Sequence, residues 1–210
     1  MFVPRPDAPR DDAECWQHLA AAGFGTLVAA GGPDREVPVV VPTQYTVHDV
    51  PGSPPRVVLH LARPNPVWAA VAERPVAVLS VARDWAYVPG AWNAGSGTDP
   101  DLGVPTTYYA AVQVVADVEV VEEPGALLDL LRVQLAALDP QLADPQAHRN
   151  VLRGIRGAVL HPREVRGKFK VGGNRDAAHR AGVAQRLAGR DGPGDAAVLA
   201  HLHRREPARR

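Results

Sequence analysis

The residues best suited to bind a ligand lie in the segment GKFKVGGNR, positions 167–175. A strand over this segment puts Lys168 and Lys170 on one face and Phe169 on the other, because successive side chains point to opposite faces. The Gly172–Gly173 pair can take a positive φ or let the backbone approach a ligand closely. A helix that follows adds unpaired N–H groups at its first turn. These cations and donors suit a phosphate or another compact anion.

Two further residues of this segment support the same interpretation. Arg175 adds a third cation, and Asn174 is the predicted N-cap of a helix that runs to about Leu187, with Asp176 in its first turn. The alternative is that the lysines line the solvent face of an edge strand and the glycines only form a turn. The local pattern leaves both interpretations open.

The composition is that of an ordinary globular protein. The chain of 210 residues has 46% hydrophobic and 22% charged residues, and its formal net charge is zero. A neutral chain has no overall field that attracts nucleic acid, so any DNA binding must be local. The single cysteine, Cys15, excludes an intramolecular disulfide, and no apolar run reaches 18 residues. We therefore predict a cytoplasmic protein that does not contact a membrane.

The order of the segments predicts an antiparallel β-barrel with peripheral helices, a mainly β fold of the α+β class. Six or seven valine-rich strands follow one another in hairpin-like succession, and the regular strand–helix alternation of a parallel sheet is missing. We predict a domain over 1–188 and a flexible basic tail over 189–210. Further helices are predicted to start at Asp11 or Asp12, at 65–66, at Pro124 and near 145, and residues 155–171 are predicted as two strands around a turn at His161 and Pro162.

Most of the aromatic residues lie in one stretch, residues 83–109, which is rich in Gly, Pro and Asp and which we predict as an irregular loop. Aromatic side chains on a long loop are typical of a surface that stacks on a planar ligand or on a partner subunit. The alternative is that they cover the end of a barrel. The residues are Trp85, Tyr87, Trp92, Tyr108 and Tyr109.

Four stretches resemble, in order and spacing, the PaiB family of FMN-binding negative transcriptional regulators, whose fold is the FMN-binding split barrel. They are FGTLV near the start, LHLARPNP at 59–66, AYVPGAW with VPTTYYAAV within 86–112, and GKFKVGGNR with its following helix. The resemblance covers nearly the whole chain and implies a homodimer with FMN at the dimer interface. The chain departs from the family pattern at Thr107, where tryptophan is common, and at Gly172–Gly173, where a polar pair is common.

The resemblance also implies roles for individual residues. His60 and Arg63 would hold the FMN phosphate, with a second basic cluster formed by Lys168, Lys170 and Arg175. Tyr87, Trp92, Tyr108 and Tyr109 would stack near the isoalloxazine or across the dimer. From its position in a strand His60 equally fits a core histidine, and Asn65 fits a helix N-cap.

Three functions remain open at this point. The first is a dimeric FMN-binding transcriptional regulator that binds DNA or a regulatory protein, with Arg175, Arg180, Arg186 and the arginine-rich tail as candidate DNA contacts. The second is an FMN-dependent oxidoreductase acting on a small molecule. The third is a split barrel that binds haem or another planar ligand. The common enzyme motifs, such as a Walker A loop, are absent, and no catalytic residue or metal ligand is predicted.

We expect a homodimer in solution, because a split barrel built from one chain leaves its ligand groove open on one side. Light scattering after size-exclusion chromatography should give twice the mass of one chain at micromolar concentration. The mass of a single chain under those conditions would contradict this expectation.

Overall fold

The computed structural model describes residues 1–95, 97–141, 150 and 152–204. The strands are β1 (Phe24–Ala29), β2 (Val39–Gln44), β3 (Thr46–His48), β4 (Arg56–Ala62), β5 (Val76–Val88), β6 (Thr106–Val121) and β7 (Ile155–Lys170). The helices are α1 (Asp12–Ala22), α2 (Val67–Glu73), α3 (Gly90–Asn93), α4 (Pro124–Leu138), α5 (Ala177–Arg190) and α6 (Asp195–Arg204). Short 3₁₀ turns cover Arg5–Asp7 and Pro100–Leu102. In the described part of the chain, no helix is both long enough and apolar enough to span a membrane.

The strands form a seven-stranded sheet with the order β2-β1-β5-β6-β7-β4-β3. Strand β1 pairs antiparallel with β2 and with β5, where Leu27 lies opposite Leu79. Strand β4 pairs antiparallel with β3 and with β7, where Val58 lies opposite Val159. The predicted fold class, an antiparallel sheet with peripheral helices, is confirmed.

The chain divides into two compact units, and the long strands β5, β6 and β7 contribute residues to both. The first unit consists of Met1–Asp11, Ala82–Ala111 and Gly167–Arg210, and the second of Asp12–Val81 and Val112–Arg166. In the second unit α4 begins as predicted at Pro124. The Glu123 carboxylate caps it by accepting hydrogen bonds from the backbone N–H groups of Gly125 and Ala126, at 2.9 and 2.7 Å. Leu127, Leu128 and Leu131 of α4 are buried in one cluster with Leu152, whereas Leu138 at the end of the helix is 42% exposed.

Helices α5 and α6 bury the core of the first unit. The buried side chains are Ala86, Val88, Tyr108, Val171, Val183, Ala184, Leu187, Val198 and Leu202. The prediction of a flexible tail is therefore wrong for Asp195–Arg204, because Val198 and Leu202 lie four residues apart on one helix face and enter this core. Residues 205–210 of the predicted tail lie outside the described residues.

Two local predictions are corrected by the structure. The stretch 83–109 is not wholly irregular, since Arg83–Val88 extend β5 and Thr106–Tyr109 begin β6. Residues 155–170 form one strand rather than two. Pro162 lies beyond the pairing of β7 with β4, which ends at Leu160, so no hydrogen bond to β4 needs the missing N–H. The predicted helix near 145–153 falls largely outside the described residues.

The junction of α5 and α6 is held by an ion pair whose carboxylate is buried. Asp195, which is 1% exposed, accepts two hydrogen bonds from the Arg190 guanidinium, at 2.8 and 2.5 Å. Arg190 also donates to the Tyr87 carbonyl at 2.9 Å and lies 4.9 Å from the centre of the Trp92 ring. These contacts join α6 to the rest of the first unit.

Replacing Asp195 by alanine should lower the free energy of unfolding by about 2 kcal/mol, because hydrogen bonds to a buried charged group are worth roughly 1.5–3 kcal/mol. The hydrogen bonds from Arg190 lower the pKa of Asp195. This contribution is therefore present above about pH 4 and is lost as the pH falls through the folded-state pKa. Urea unfolding at several pH values measures it. The exposed Asp101→Ala control should change stability by less than about 0.5 kcal/mol, and an equal loss in both variants would contradict the assignment.

Candidate functional site

The site is built around the turn that joins β7 to α5. Phe169 is buried whereas Lys168 and Lys170 are partly exposed, which confirms the predicted alternation. Gly172 has a φ of +71°, and a Cβ at this position would lie 2.5 Å from the Tyr108 hydroxyl. A Cβ on Gly173 would clash with the carbonyl oxygen of Pro6. The glycine pair was expected to let the backbone approach a neighbouring group closely. The neighbouring groups are the Tyr108 hydroxyl and the Pro6 carbonyl of the N-terminal segment.

The start of α5 differs from the prediction in one respect. Its N-cap is Asp176 rather than Asn174, and the Asp176 carboxylate accepts a hydrogen bond from the His179 backbone N–H at 2.7 Å. Asn174 instead lines a cavity beside the turn. Because the helix begins only at Ala177, the Asn174 side chain does not cap it and lines the cavity instead.

The cavity has a volume of about 220 Å³, and seven of its ten lining residues have polar or charged side chains. This volume is below the roughly 300–1,000 Å³ of pockets that hold a whole small molecule. It is sufficient for a phosphate group and part of a ligand's chain. The polar lining consists of two cations, two hydroxyl groups, two amides and one carboxylate, namely Lys170, Arg175, Thr106, Tyr108, Asn93, Asn174 and Asp7.

Lys170 is held in place by a neighbouring strand. Its ammonium group donates a hydrogen bond to the Thr106 hydroxyl at 2.7 Å. This bond uses one of the three N–H donors of the lysine, and two remain for other acceptors. With Arg175 the cavity has two positive charges against the single negative charge of Asp7, so it favours an anion.

The Tyr108 hydroxyl is a buried donor that has no hydrogen-bond partner among the described residues. Tyr108 is 2% exposed, and its hydroxyl makes no hydrogen bond to any residue that the structure describes. Burial raises the pKa of Tyr108, so the phenol stays protonated at neutral pH and can donate. Leaving a buried hydroxyl unsatisfied costs about 1–3 kcal/mol. A ligand oxygen in the cavity would remove this cost.

Asn93 is held in one orientation by hydrogen bonds on both sides of its amide. Its amide nitrogen donates to the Val104 carbonyl at 2.6 Å, and its oxygen lies 3.2 Å from His179 Nε2, which acts as the donor. Burial, and next the nearby Arg175, lower the pKa of His179. The imidazole is therefore neutral at neutral pH, and the cations of the cavity are Lys170 and Arg175.

The structure brings together only part of the site predicted from sequence. Lys170, Arg175 and Tyr108 line the cavity. Lys168 does not line it: its ammonium group donates to the Phe2 carbonyl at 3.3 Å and lies 5.8 Å from the ring centres of Phe2 and Tyr109.

The other predicted aromatic residues have different surroundings. Tyr87 is 50% exposed, and Trp92 lies against Arg190. Neither is among the residues that line the cavity. Their roles toward a flavin ring therefore stay predictions.

His60 and Arg63 belong to the second unit, where other side chains contact them. His60 Nδ1 lies 2.7 Å from the Gln134 side-chain oxygen. The Arg63 guanidinium donates to Glu122 at 3.0 Å and to the carbonyls of Arg153 and Ile155 at 3.0 and 3.3 Å. Asn65 accepts a hydrogen bond from the Val67 N–H at 3.0 Å, which is the capping role that its position suggested. The phosphate-binding role of His60 and Arg63 stays a prediction.

Sequence analysis did not identify Thr106, Asn93, Asn174 or Asp7 as site residues. The signal available for Thr106 was its position in the family-like segment VPTTYY. Asp7 and Asn93 lie far from GKFKVGGNR in sequence, and only the tertiary fold places them at the same cavity.

Solved structures with a similar fold include several flavin proteins. The flavocytochrome Anf3 from Azotobacter vinelandii is 18% identical, with 86% of this chain and 78% of that chain covered and a TM-score of 0.59. The FAD and heme binding protein from Mycobacterium smegmatis is 19% identical, with 83% and 77% covered and a TM-score of 0.53.

A third similar structure is a "putative 5-nitroimidazole antibiotic resistance protein" from Bacteroides thetaiotaomicron. It is 10% identical, with 77% of this chain and 85% of that chain covered and a TM-score of 0.59. At such identities the likeness concerns the fold alone, and it confirms the predicted split-barrel type. A search of curated proteins found no match.

A family match identifies the chain more directly. Residues 1–161 match the family described as "Putative FMN-binding domain". The matched part contains Asp7, Asn93, Thr106 and Tyr108 of the cavity, whereas Lys170 and Arg175 follow it in sequence. The match confirms, at the level of the family, the prediction that the cofactor is FMN or a related flavin. The chain therefore belongs to this family of FMN-binding domains.

Proposed function

We propose that this chain binds FMN and that the cavity beside the β7–α5 turn holds the phosphate. The observation that carries the proposal is the set of donors around one small volume. Lys170 is fixed by Thr106, and the Tyr108 hydroxyl is buried without an acceptor among the described residues. A phosphate oxygen is an acceptor for both groups, and charge-assisted hydrogen bonds of this kind are the strong ones.

The residues of the cavity make different contributions to binding a dianionic phosphate. Lys170 contributes a compact positive charge, Arg175 a second cation and Tyr108 a neutral donor. The carboxylate of Asp7 limits the excess of positive charge when no ligand is bound. These residues bind and orient the ligand.

The remaining part of FMN must lie outside this cavity, because a volume of about 220 Å³ cannot hold the isoalloxazine as well. The first unit offers exposed aromatic surface for it, since Trp85 is 59% and Tyr87 is 50% exposed. Exposed aromatic patches of this kind are typical of interaction surfaces. This supports the proposal that a second copy of the chain covers the ring in a homodimer.

A bound FMN would supply hydride or electron transfer, for which the protein provides binding and orientation. One observation favours an FMN-dependent oxidoreductase over a PaiB-like transcriptional regulator. Of the three arginines considered for DNA contact, Arg175 lines the cavity and Arg180 donates to the Arg175 carbonyl. Of the three only Arg186 is exposed, and Arg190, at the end of the same helix, is paired with Asp195, which leaves little unpaired positive charge on α5. The regulator remains the second candidate.

Replacing Lys170 by glutamine should weaken FMN binding about tenfold or more, because it removes a charge-assisted hydrogen bond worth roughly 1.5–3 kcal/mol. Quenching of flavin fluorescence during titration measures the dissociation constant. Lys168→Gln is the matched control, since it removes the same charge from the same strand face outside the cavity, and we expect a change below about threefold. Equal losses in the two variants would contradict the placement of the phosphate.

A second pair of variants tests the cavity without changing a charge. Gly172→Ala places a Cβ against the Tyr108 hydroxyl at a positive φ and should weaken FMN binding. Gly189→Ala is its control, because Gly189 lies in α5 with no atom within 4 Å of an added Cβ. Full FMN affinity in a folded Gly172→Ala protein would argue against this site.

The two candidate functions predict different behaviour of the FMN-loaded protein. An oxidoreductase should oxidise NADH or NADPH with an electron acceptor present, which loss of absorbance at the nicotinamide band would show. A regulator should retard DNA fragments from its own genomic neighbourhood in a salt-sensitive manner. DNA retardation without nicotinamide oxidation would reverse our preference, and a Soret band in the purified protein would point to haem.

A further inference from the structure

The second unit contains a separate cavity that the proposed function does not use. It has a volume of about 300 Å³ and lies between α4 and strands β3, β4, β6 and β7. Its apolar lining consists of Val58, Val121, Leu130, Val133 and Val159, with Ala126. A largely apolar cavity of this size with a few polar groups at its rim is the usual form of a small-molecule site.

Two basic side chains lie next to each other at the rim. His48 and Arg56 are direct partners in the β3–β4 pairing, so their side chains share one face of the sheet. Both line the cavity. Neither side chain makes a hydrogen bond or an ion pair with a residue in the described ranges, which leaves the Arg56 guanidinium with its full set of donors.

The two acidic side chains at the rim already have side-chain partners. Glu119 lies 2.7 Å from His161 Nε2, and Asp129 pairs with Arg132 one turn further along α4. Arg56 is therefore the charged side chain of this rim that has no ion-pair partner in the described part of the chain. A ligand that complements the cavity has an apolar body and one negative group.

We propose that this cavity binds a small amphipathic carboxylate. Its hydrocarbon part lies on the valine and leucine side chains, and its carboxylate accepts a bidentate hydrogen bond from Arg56, the geometry for which a guanidinium is suited. His48 adds a further donor beside it. A dianionic phosphate fits less well, because Glu119 and Asp129 lie at the same rim. The proposal is independent of the FMN site, which uses residues of the first unit.

The test is isothermal titration calorimetry of the full-length protein with sodium octanoate. We expect saturable binding of one octanoate per chain, and binding at least tenfold weaker for octylamine and for 1-octanol, which keep the chain but lack the carboxylate. Arg56→Gln should weaken octanoate binding about tenfold or more. The control Arg74→Gln removes an exposed arginine of the same unit that does not line the cavity, and it should change the affinity less than twofold.

A cavity-filling variant separates specific binding from nonspecific adsorption. Val133→Phe adds bulk from α4 into the cavity and should abolish octanoate binding, while the unfolding temperature shows that the protein remains folded. The proposal is overturned if wild-type protein does not bind octanoate. It is equally overturned if octylamine binds as tightly, or if folded Arg56→Gln binds with unchanged affinity.

Discussion

The first unit depends on a turn in which two successive glycines leave no room for a side chain. Gly172 lies against the Tyr108 hydroxyl, and Gly173 lies against the Pro6 carbonyl. Because both approaches require the absence of a Cβ, the turn can bring β7, β6 and the N-terminal segment to one cavity. Lys170, the last residue of β7, then lies next to Thr106 at the start of β6. The anion site is a consequence of this close packing.

The features that could be predicted from sequence are those encoded over short distances. The alternation of Lys168, Phe169 and Lys170 indicated which side chain is buried, and the glycine pair indicated a positive φ. Valine-rich segments separated by turn residues indicated antiparallel strands, and the leucine spacing of residues 124–138 indicated an amphipathic helix. These patterns were sufficient for the fold class and for locating the basic cluster. The resemblance of four motifs to a known family added the prediction of a flavin cofactor, and the family match supports that prediction.

The features that could not be predicted depend on contacts between distant segments. Helix α6 is short and flanked by Gly, Pro and Arg, and it is stable because Val198 and Leu202 enter a core formed by other elements. Pro162 predicted a turn, but it lies where β7 no longer pairs with β4. Lys168 and Lys170 have the same local pattern, and only the fold shows that one contacts Phe2 and the other Thr106. Asn93 and Asp7 carry no local signal of a ligand site.

The proposed flavin site places the phosphate of FMN in the cavity formed by Lys170, Thr106 and Tyr108. The most direct measurement is a crystal structure of the protein with FMN bound. We expect phosphate oxygens within about 3.2 Å of Lys170 Nζ and of the Tyr108 hydroxyl, at ordinary hydrogen-bond distance. A phosphate bound instead by His60 and Arg63, with the Tyr108 hydroxyl still unpaired, would contradict it.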